Sequence, residues 1–253
     1  MSSLSSLTKA ELRKYVDTKF QAGASRFFKE EIQVLGVRSP QVKLVAAKFW
    51  PEVKKLPKDQ IFTICEELWQ NGFIEETFVA INWTNRLLKK LGKADFIRFT
   101  NWIDQYVNNW ASCDIFCTHA VGYLVQKYPE LFTELKTWTK SKNRWFRRAA
   151  AVSLIYPLHH PFFSSKSSIL PIPPTLPISL LNQVFQIADS LFSDPDNLVQ
   201  KGYGWMLKEA SKIWPQEIFK YVFDRRDKMP RTALRYAIEK LPKDLKLKAM
   251  SKN

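Results

Sequence analysis

Turn signals recur along this sequence at the spacing of helix pairs, and almost no segment alternates apolar and polar residues with period two. A strand with one buried face needs that alternation, so the pattern predicts an all-α chain. Trp110 and Trp145 are 35 residues apart. Trp145 and Trp205 are 60 residues apart, or roughly 40 without an insert of about 20, which is close to the period of helical-repeat proteins. We therefore expect one array of helix pairs over residues 1–253.

Caps and prolines give the boundaries of the predicted helices. Residues 8–11 have the form of a capping box that opens the first helix. Gly36 ends the second helix, Ser39 and Pro40 cap and begin the third, and Pro51 ends the third. The predicted helices cover approximately residues 8–20, 25–34, 39–50, 57–70, 74–91, 95–106, 111–127, 129–140, 143–154, 178–192, 196–214, 215–225 and 230–241. We expect the basic tail that follows to fray.

A stretch rich in proline and serine, residues 157–177, interrupts the repeat. Proline at this density is incompatible with a helix. We therefore predict that this insert is non-helical and extended.

The chain is strongly basic, with 39 Lys and Arg against 24 Asp and Glu and a formal charge of +15. A surplus of this size attracts a polyanion through counterion release, and it also attracts an anionic membrane surface. Residues 136–148 concentrate the charge, because they contain no acid and these cations: Lys136, Lys140, Lys142, Arg144, Arg147 and Arg148. This local patch favours a nucleic acid as the partner.

The three cysteines, Cys65, Cys113 and Cys117, are too few and too irregularly spaced for a disulfide framework. Cys113 and Cys117 lie near His119, but a zinc site needs further ligands at suitable spacing. We therefore expect buried thiols and no metal. The sequence shows no signal peptide and no apolar run of membrane-spanning length, so we expect a cytoplasmic, reduced protein.

Three stretches carry residues suited to chemistry on a charged ligand. In residues 108–114, Trp110 and Asp114 are four residues apart, so on a helix they share one face, one turn apart. The other two stretches are residues 143–150 and 201–205. Together the three stretches offer one acid, two adjacent arginines and several large aromatic side chains.

The order of these motifs resembles that of the AlkD-type DNA alkylation repair glycosylases. The resemblance rests on Trp110-x-x-x-Asp114, then Trp145-Phe146-Arg147-Arg148-Ala149-Ala150, then Lys201-Gly202-x-x-Trp205-x-Leu207-x-Glu209. Residues 35–40 and 66–69 also lie where that family has similar segments. No single motif would suffice, and the likeness spans residues 10–245. The chain departs from the family at residues 157–177, where the family generally has a short turn.

The resemblance implies a fold, an activity and a partner. The implied fold is a right-handed α-solenoid of HEAT-like helix pairs, curved so that a concave basic face holds duplex DNA. The implied activity is that of a monofunctional N-glycosylase that removes positively charged N3- or N7-alkylpurines without a cofactor. The family removes the base without flipping it into a pocket, unlike most base-modifying enzymes.

The resemblance also assigns roles to four residues. Asp114 is the catalytic carboxylate, because the glycosidic bond breaks through an oxocarbenium-like state whose positive charge a carboxylate stabilises. An alkylpurine that already carries positive charge leaves as a neutral base, so one carboxylate suffices. Trp110 and Trp205 line the lesion site, where an indole face attracts a cation. Arg148 grips the DNA backbone through bidentate bonds to phosphate.

Structural explanations stand beside these roles. From the spacing alone, the commoner explanation of Asp114 is a solvated helix residue or a salt bridge between helices, and the resemblance favours the catalytic role. Tryptophans by themselves most often pack in cores. We assign Trp145 to packing between repeats.

Four further cations are candidate DNA contacts: Arg38, Lys142, Arg144 and Arg147. Arg38 lies beside the helix start at Ser39, where free backbone N–H groups suit a phosphate. Arg147 points about 100° away from Arg148 on a helix, so the two cannot serve one site equally. For Arg147 and Lys142, a solvated basic face is the alternative explanation.

Two other functions stay open at this point. The first is a non-catalytic HEAT-like protein that binds damaged or branched DNA, and the presence of both Trp110 and Asp114 argues against it. The second is a protein-interaction scaffold, for which the charge is incidental. A steep loss of binding with salt separates DNA from most protein partners. The preferred interpretation is a monomer that binds double-stranded DNA carrying alkylated purines, with no membrane partner.

Overall fold

The structure is a computed structural model that describes residues 3–160 and 178–251, with the backbone alone at Ser25. Its regular structure over these ranges is helical, and an isolated bridge between Gln33 and Phe73 is the one β-type pairing found there. The prediction of an all-α chain is therefore confirmed. Within the same ranges, no helix combines the length and the apolar character needed to cross a membrane.

The chain divides into two compact units, Met1–Phe116 and Cys117–Asn253. The helices of the first unit are α1 (Leu4–Arg13), α2 (Thr18–Ala24), α3 (Ser39–Val53), α4 (Lys58–Gln70), α5 (Ile74–Arg86), α6 (Asp95–Tyr106) and α7 (Trp110–Phe116). The expectation of one array over residues 1–253, and with it a curved solenoid with a concave basic face, stays a prediction.

A cluster of buried aromatic rings fixes the end of α7 in the first unit. The Phe116 ring lies 5.0 Å from that of Phe99 and 5.7 Å from that of Trp69, in edge-to-face contacts. Trp102 lies 5.9 Å from Phe116. Such ring pairs contribute about 0.5–1.5 kcal/mol each beyond the burial of their area. Helices α4 and α6 thus hold α7 at its C-terminal residue.

The second unit begins with a π-helical segment, Cys117–Val121. Its helices are α8 (Gly122–Lys127), α9 (Phe132–Trp138), α10 (Arg144–Val152), α11 (Ile155–His159), α12 (Ile178–Ser190), α13 (Asn197–Ser211), α14 (Pro215–Phe223), α15 (Arg231–Ala237) and α16 (Lys243–Met250). The long helix α13 packs against α10, α12, α14 and α15, and it forms the centre of this unit.

Close packing between α13 and α15 depends on a glycine. A Cβ atom at Gly204 would lie 2.7 Å from the Tyr236 Cβ and 2.9 Å from the Ala233 carbonyl oxygen. Neither neighbour is the end of a flexible side chain, so the two helices can approach this closely only because Gly204 has no side chain.

The predicted boundaries of α4 and α6 are confirmed, but the first predicted helix is wrong. Helix α1 begins at Leu4, because the Ser3 hydroxyl caps it and accepts a hydrogen bond from the Ser6 N–H at 3.2 Å. Thr8 lies inside the helix, where its hydroxyl donates to the Leu4 carbonyl oxygen at 2.7 Å. The predicted capping box is therefore an internal turn of α1.

The helix predicted over residues 25–34 is also wrong. A single 3₁₀ turn, Ser25–Phe27, is followed by irregular chain up to α3. The Glu75 carboxylate accepts the backbone N–H groups of Leu35, Gly36 and Val37 at 2.9, 2.8 and 3.0 Å. These N–H groups are thus satisfied from α5 without a helix. Gly36 has a φ of +92°, which favours glycine.

Three further boundaries need correction. Helix α3 begins at Ser39 as predicted, but Arg38 is its cap, and the helix continues through Pro51 to Val53. The tail does not fray from residue 243, because α16 buries Leu245 and Ala249. The start of the predicted insert is helical, since Pro157 lies in the first turn of α11, where an N–H group has no helical acceptor. Residues 161–177 lie outside the described residues.

Substitution of Gly204 by Ala should destabilise the protein by about 1–3 kcal/mol, because the new methyl group forces α13 and α15 apart. Gly23→Ala in α2 is the matched control, since a Cβ there would meet no atom within 4 Å. That control should be neutral or stabilising by about 0.5–1 kcal/mol. Urea denaturation followed by circular dichroism measures both. Equal stabilities of the two variants would contradict the close-packing argument.

Candidate functional site

Helix α7 presents two of the predicted site residues from the first unit. Asn109, which is buried, caps this helix by accepting the Ser112 N–H at 2.9 Å, and its own amide donates to the Asn108 side-chain oxygen at 2.9 Å. The cap fixes Trp110 as the first helical residue. Asp114 follows one turn later and is half-buried. The predicted shared face of Trp110 and Asp114 is thus present on a helix of defined start.

An aromatic neighbour of Trp110 was not predicted from the sequence. The Phe28 ring stacks on the Trp110 indole with ring centroids 5.4 Å apart and an interplanar angle of 24°. Trp110 stays 37% exposed, and the adjacent Phe27 is 77% exposed. The signal in the sequence is an aromatic pair flanked by Arg26 and Lys29, which the incorrect helix prediction over residues 25–34 concealed.

A cavity of about 270 Å³ lies beside α7 in the first unit. Its walls come from α3, α5 and Ile115, the residue after Asp114. Asn85 contributes a buried side-chain oxygen that has no hydrogen-bond partner among the described residues. Lys43 and Ser39 line the same cavity. This face of the first unit is therefore open and partly polar.

The second unit holds Arg148 rigidly. The side chain is 5% exposed, and its Nη1 donates to the Leu198 carbonyl oxygen. A Cβ atom at Gly202 would lie 3.2 Å from the Arg148 Cγ, so the glycine makes room for the arginine stem. The Lys-Gly pair at residues 201–202 thus has a packing role in α13. Arg148 is a fixed charge and not a mobile surface cation.

The neighbouring arginines have internal acidic partners. Arg147 forms a two-pronged ion pair with Asp194, with Nε 2.6 Å from Oδ2 and Nη2 3.3 Å from Oδ1, and its side chain is 16% exposed. Arg144 contacts Asp196 at 3.0 Å and is more exposed. Lys142 is exposed. Arg147 therefore has a structural role, and the DNA contacts of all three residues stay predictions.

Arg38 also has local partners in the first unit. Its guanidinium contacts the Asp17 carboxylate at 3.0 Å and lies 4.6 Å from the centre of the Phe20 ring. The side chain remains exposed, because both contacts are on the surface. Its proposed contact with phosphate stays a prediction.

Trp205 lies in α13 and is half-buried. Its indole Nε1 donates to the Glu209 carboxylate at 3.0 Å, one turn further along the same helix. Glu209 appears in the sequence motif, but its contact with the indole was not predicted. The four residues assigned to catalysis are thus divided between the units, with Trp110 and Asp114 in the first and Arg148 and Trp205 in the second.

Two structural interpretations from the sequence are confirmed. Trp145 is 7% exposed, as expected for a packing residue. Cys65, Cys113 and Cys117 are free, buried thiols.

The helices of both units place this chain among the all-α helical-repeat proteins. The family model described as DNA alkylation repair enzyme matches residues 8–241, so the chain belongs to the family of DNA alkylation repair enzymes. This match confirms the family resemblance found in the sequence.

Solved structures with similar folds agree with this assignment at the level of the fold. A protein described as a predicted DNA alkylation repair enzyme from Enterococcus faecalis has a TM-score of 0.71 and 19% identity, over 90% of this chain and 97% of that one. AlkD2 from Streptococcus mutans has a TM-score of 0.56 and 18% identity, over 88% of this chain and 98% of that one. The protein smu.31 from Streptococcus mutans UA159 has the same score and identity, over 91% and 100%. A search of curated proteins found no match.

The stack between Phe28 and Trp110 should be measurable as a coupling energy. A double-mutant cycle with Phe28→Ala and Trp110→Ala should give about 0.5–1.5 kcal/mol, the range for aromatic pairs. The matched control is a second double-mutant cycle with Phe27→Ala and Trp110→Ala, since Phe27 is exposed. That cycle should give a coupling energy near zero. Urea denaturation measures each variant. An equal coupling for Phe27 would show that the stack is not specific.

Proposed function

We propose that this protein is a monofunctional DNA N-glycosylase that hydrolyses the glycosidic bond of positively charged N3- and N7-alkylpurines in duplex DNA. The observation that carries the proposal is the arrangement on α7, where the half-buried Asp114 lies one turn from the exposed Trp110. Membership of the DNA alkylation repair family supports it.

Asp114 supplies the charge that the reaction needs. As the glycosidic bond lengthens, positive charge moves from the alkylated base to the deoxyribose, which becomes oxocarbenium-like. A carboxylate held by a helix at a partly buried position stabilises that charge more strongly than a carboxylate in water. The same carboxylate can orient a water molecule towards the sugar carbon. The alkylated base leaves neutral, so the reaction needs no second acid.

Trp110 selects for positive charge on the substrate. Its indole stacks on Phe28 and remains 37% exposed. An exposed indole face attracts a cation, and the attraction grows when the site is desolvated. We assign Trp205 the same role from the second unit. A neutral purine is not attracted to the indole in this way, and it is also a poorer leaving group than an alkylated, positively charged purine.

Cations attract the DNA backbone to the protein. The net charge of +15 provides a general attraction, and we assign Lys142, Arg144 and Arg38 to contacts with phosphates because their side chains are exposed. Arg148 is assigned to the backbone near the lesion, since its guanidinium is fixed by Leu198 and Gly202. We propose that the protein binds duplex DNA as a monomer.

Purified protein incubated with methylated duplex DNA should release free methylated purines and leave the strands intact. Strand nicking is not expected, because a carboxylate forms no Schiff base with the sugar. Chromatography detects the bases, and denaturing gels detect nicks. Cleavage of undamaged strands would refute the assignment.

Asp114→Asn keeps the shape of the side chain and removes its charge. It should lower the single-turnover excision rate of 7-methylguanine by about ten- to a thousandfold, the range for one positioned electrostatic partner. DNA affinity should be unchanged or slightly higher, because a carboxylate near phosphates repels them.

The matched control is Asp59→Asn, which removes a surface carboxylate of the same unit. It should excise at the wild-type rate. Thermal melting of the same preparations separates catalysis from folding. If Asp114→Asn melts normally and excises at full rate, the mechanism fails.

Arg148→Ala should reduce excision and DNA binding together, because the fixed guanidinium is proposed to hold the backbone at the lesion. Lys142→Ala should only weaken affinity and reduce the slope of log affinity against log salt by about one. A salt titration of binding gives both quantities, and Arg148→Lys controls for loss of charge as opposed to loss of the planar fork. Small and equal effects of Arg148→Ala and Lys142→Ala would remove Arg148 from the site.

A further inference from the structure

A buried carboxylate in the second unit joins three donors. Glu209 is 5% exposed. Its Oε1 accepts the Trp205 Nε1–H at 3.0 Å, while its Oε2 accepts from the His159 Nε2 at 2.7 Å and from the Lys212 ammonium. One carboxylate oxygen therefore accepts a hydrogen bond from the indole, and the other accepts hydrogen bonds from two basic side chains.

The basic partners keep this carboxylate ionised. Burial by itself raises the pKa of Glu209, but the hydrogen bonds from Lys212, His159 and Trp205 outweigh it and hold the pKa below its ordinary range. A buried charge without partners is strongly unfavourable, so the contacts of His159 and Lys212 also make the position of Glu209 tolerable. The bond to Trp205 is thus made to a negative acceptor, which strengthens it.

This bond restricts the indole. Rotation of the Trp205 ring out of its place would leave both the indole N–H and a buried carboxylate oxygen without a partner, which costs free energy. An ionised acceptor at Nε1 also polarises the ring and increases electron density on its face. A richer face attracts a cation more strongly.

We propose that Glu209 is a positioning residue that orients and polarises Trp205 towards a cationic alkylpurine. The inference rests on the proposed function for the role of Trp205 in excision. The claim that Glu209 restrains the Trp205 indole does not depend on that function, because it rests on the hydrogen bond between the two side chains. The alternative is that Glu209 only ties α11 to α13 through His159.

Nuclear magnetic resonance of protein labelled with ¹⁵N-tryptophan tests the hold directly. The Trp205 indole N–H signal is assigned by its loss in Trp205→Phe. In Glu209→Ala this signal should shift upfield and exchange faster with water, while most other indole signals stay in place. Glu239→Ala is the matched control, since Glu239 pairs with Lys208 at the surface of the same unit. It should leave the Trp205 signal in place. A Trp205 signal that does not respond to Glu209→Ala overturns the proposal.

A double-mutant cycle tests the consequence for excision. Glu209→Ala should lower the single-turnover rate at subsaturating protein by about tenfold while affinity for undamaged DNA changes less than about twofold, because Trp205 attracts the cationic base and not the DNA backbone. In the Trp205→Phe background, Glu209→Ala should lower the rate no further. Equal losses in both backgrounds would assign Glu209 to the tie between helices and overturn the proposal.

The two arms separate this inference from the proposed function. If wild-type protein excises no base, the proposed function fails, and the indole signal still decides whether Glu209 holds Trp205. If Glu209→Ala does not fold, Glu209→Gln takes its place in both arms with the same expected directions. Gln has the same length and lacks the charge that fixes the division of the two oxygens.

Discussion

The carboxylate of Glu75 determines the course of the chain around the candidate site in the first unit. It accepts three consecutive backbone N–H groups, at residues 35–37, and is itself buried. These three hydrogen bonds satisfy the backbone N–H groups, so the segment needs no regular structure of its own. This segment leads directly into α3, whose Ser39 and Lys43 line the cavity beside α7. The path of the chain into α3 therefore depends on one side chain of α5.

Local signals in the sequence predicted much of the fold. Prolines and turn residues predicted the limits of α4 and α6, because the residues next to each end in the sequence determine where these helices begin and end. The helix predicted over residues 25–34 was wrong for the opposite reason. Its backbone pairs at Gln33 with Phe73, about 40 positions away, and no periodicity within the segment reveals that partner. Burial of Leu245 and Ala249 likewise orders a tail whose composition suggested fraying.

The candidate site shows the same division between local and distant information. The spacing of Trp110 and Asp114 predicted their common face, and the structure adds the cap at Asn109. Phe28 and the pairing of Glu209 with His159 were missed, because both involve residues brought together by packing. The charge composition predicted a polyanionic partner for the whole chain, but it did not predict the role of Arg147. That residue belongs to the basic stretch of the sequence, yet its guanidinium is paired with Asp194.

The burial of the three thiols protects them from alkylation under the conditions in which alkylation repair is needed. Agents that alkylate purine nitrogens also attack thiolates, since the thiolate is the nucleophilic form of cysteine. Burial raises the pKa of the Cys65 thiol to about 12, and Cys113 and Cys117 are as inaccessible as Cys65. Alkylating agents should therefore modify these three cysteines more slowly in the folded protein than in the unfolded chain.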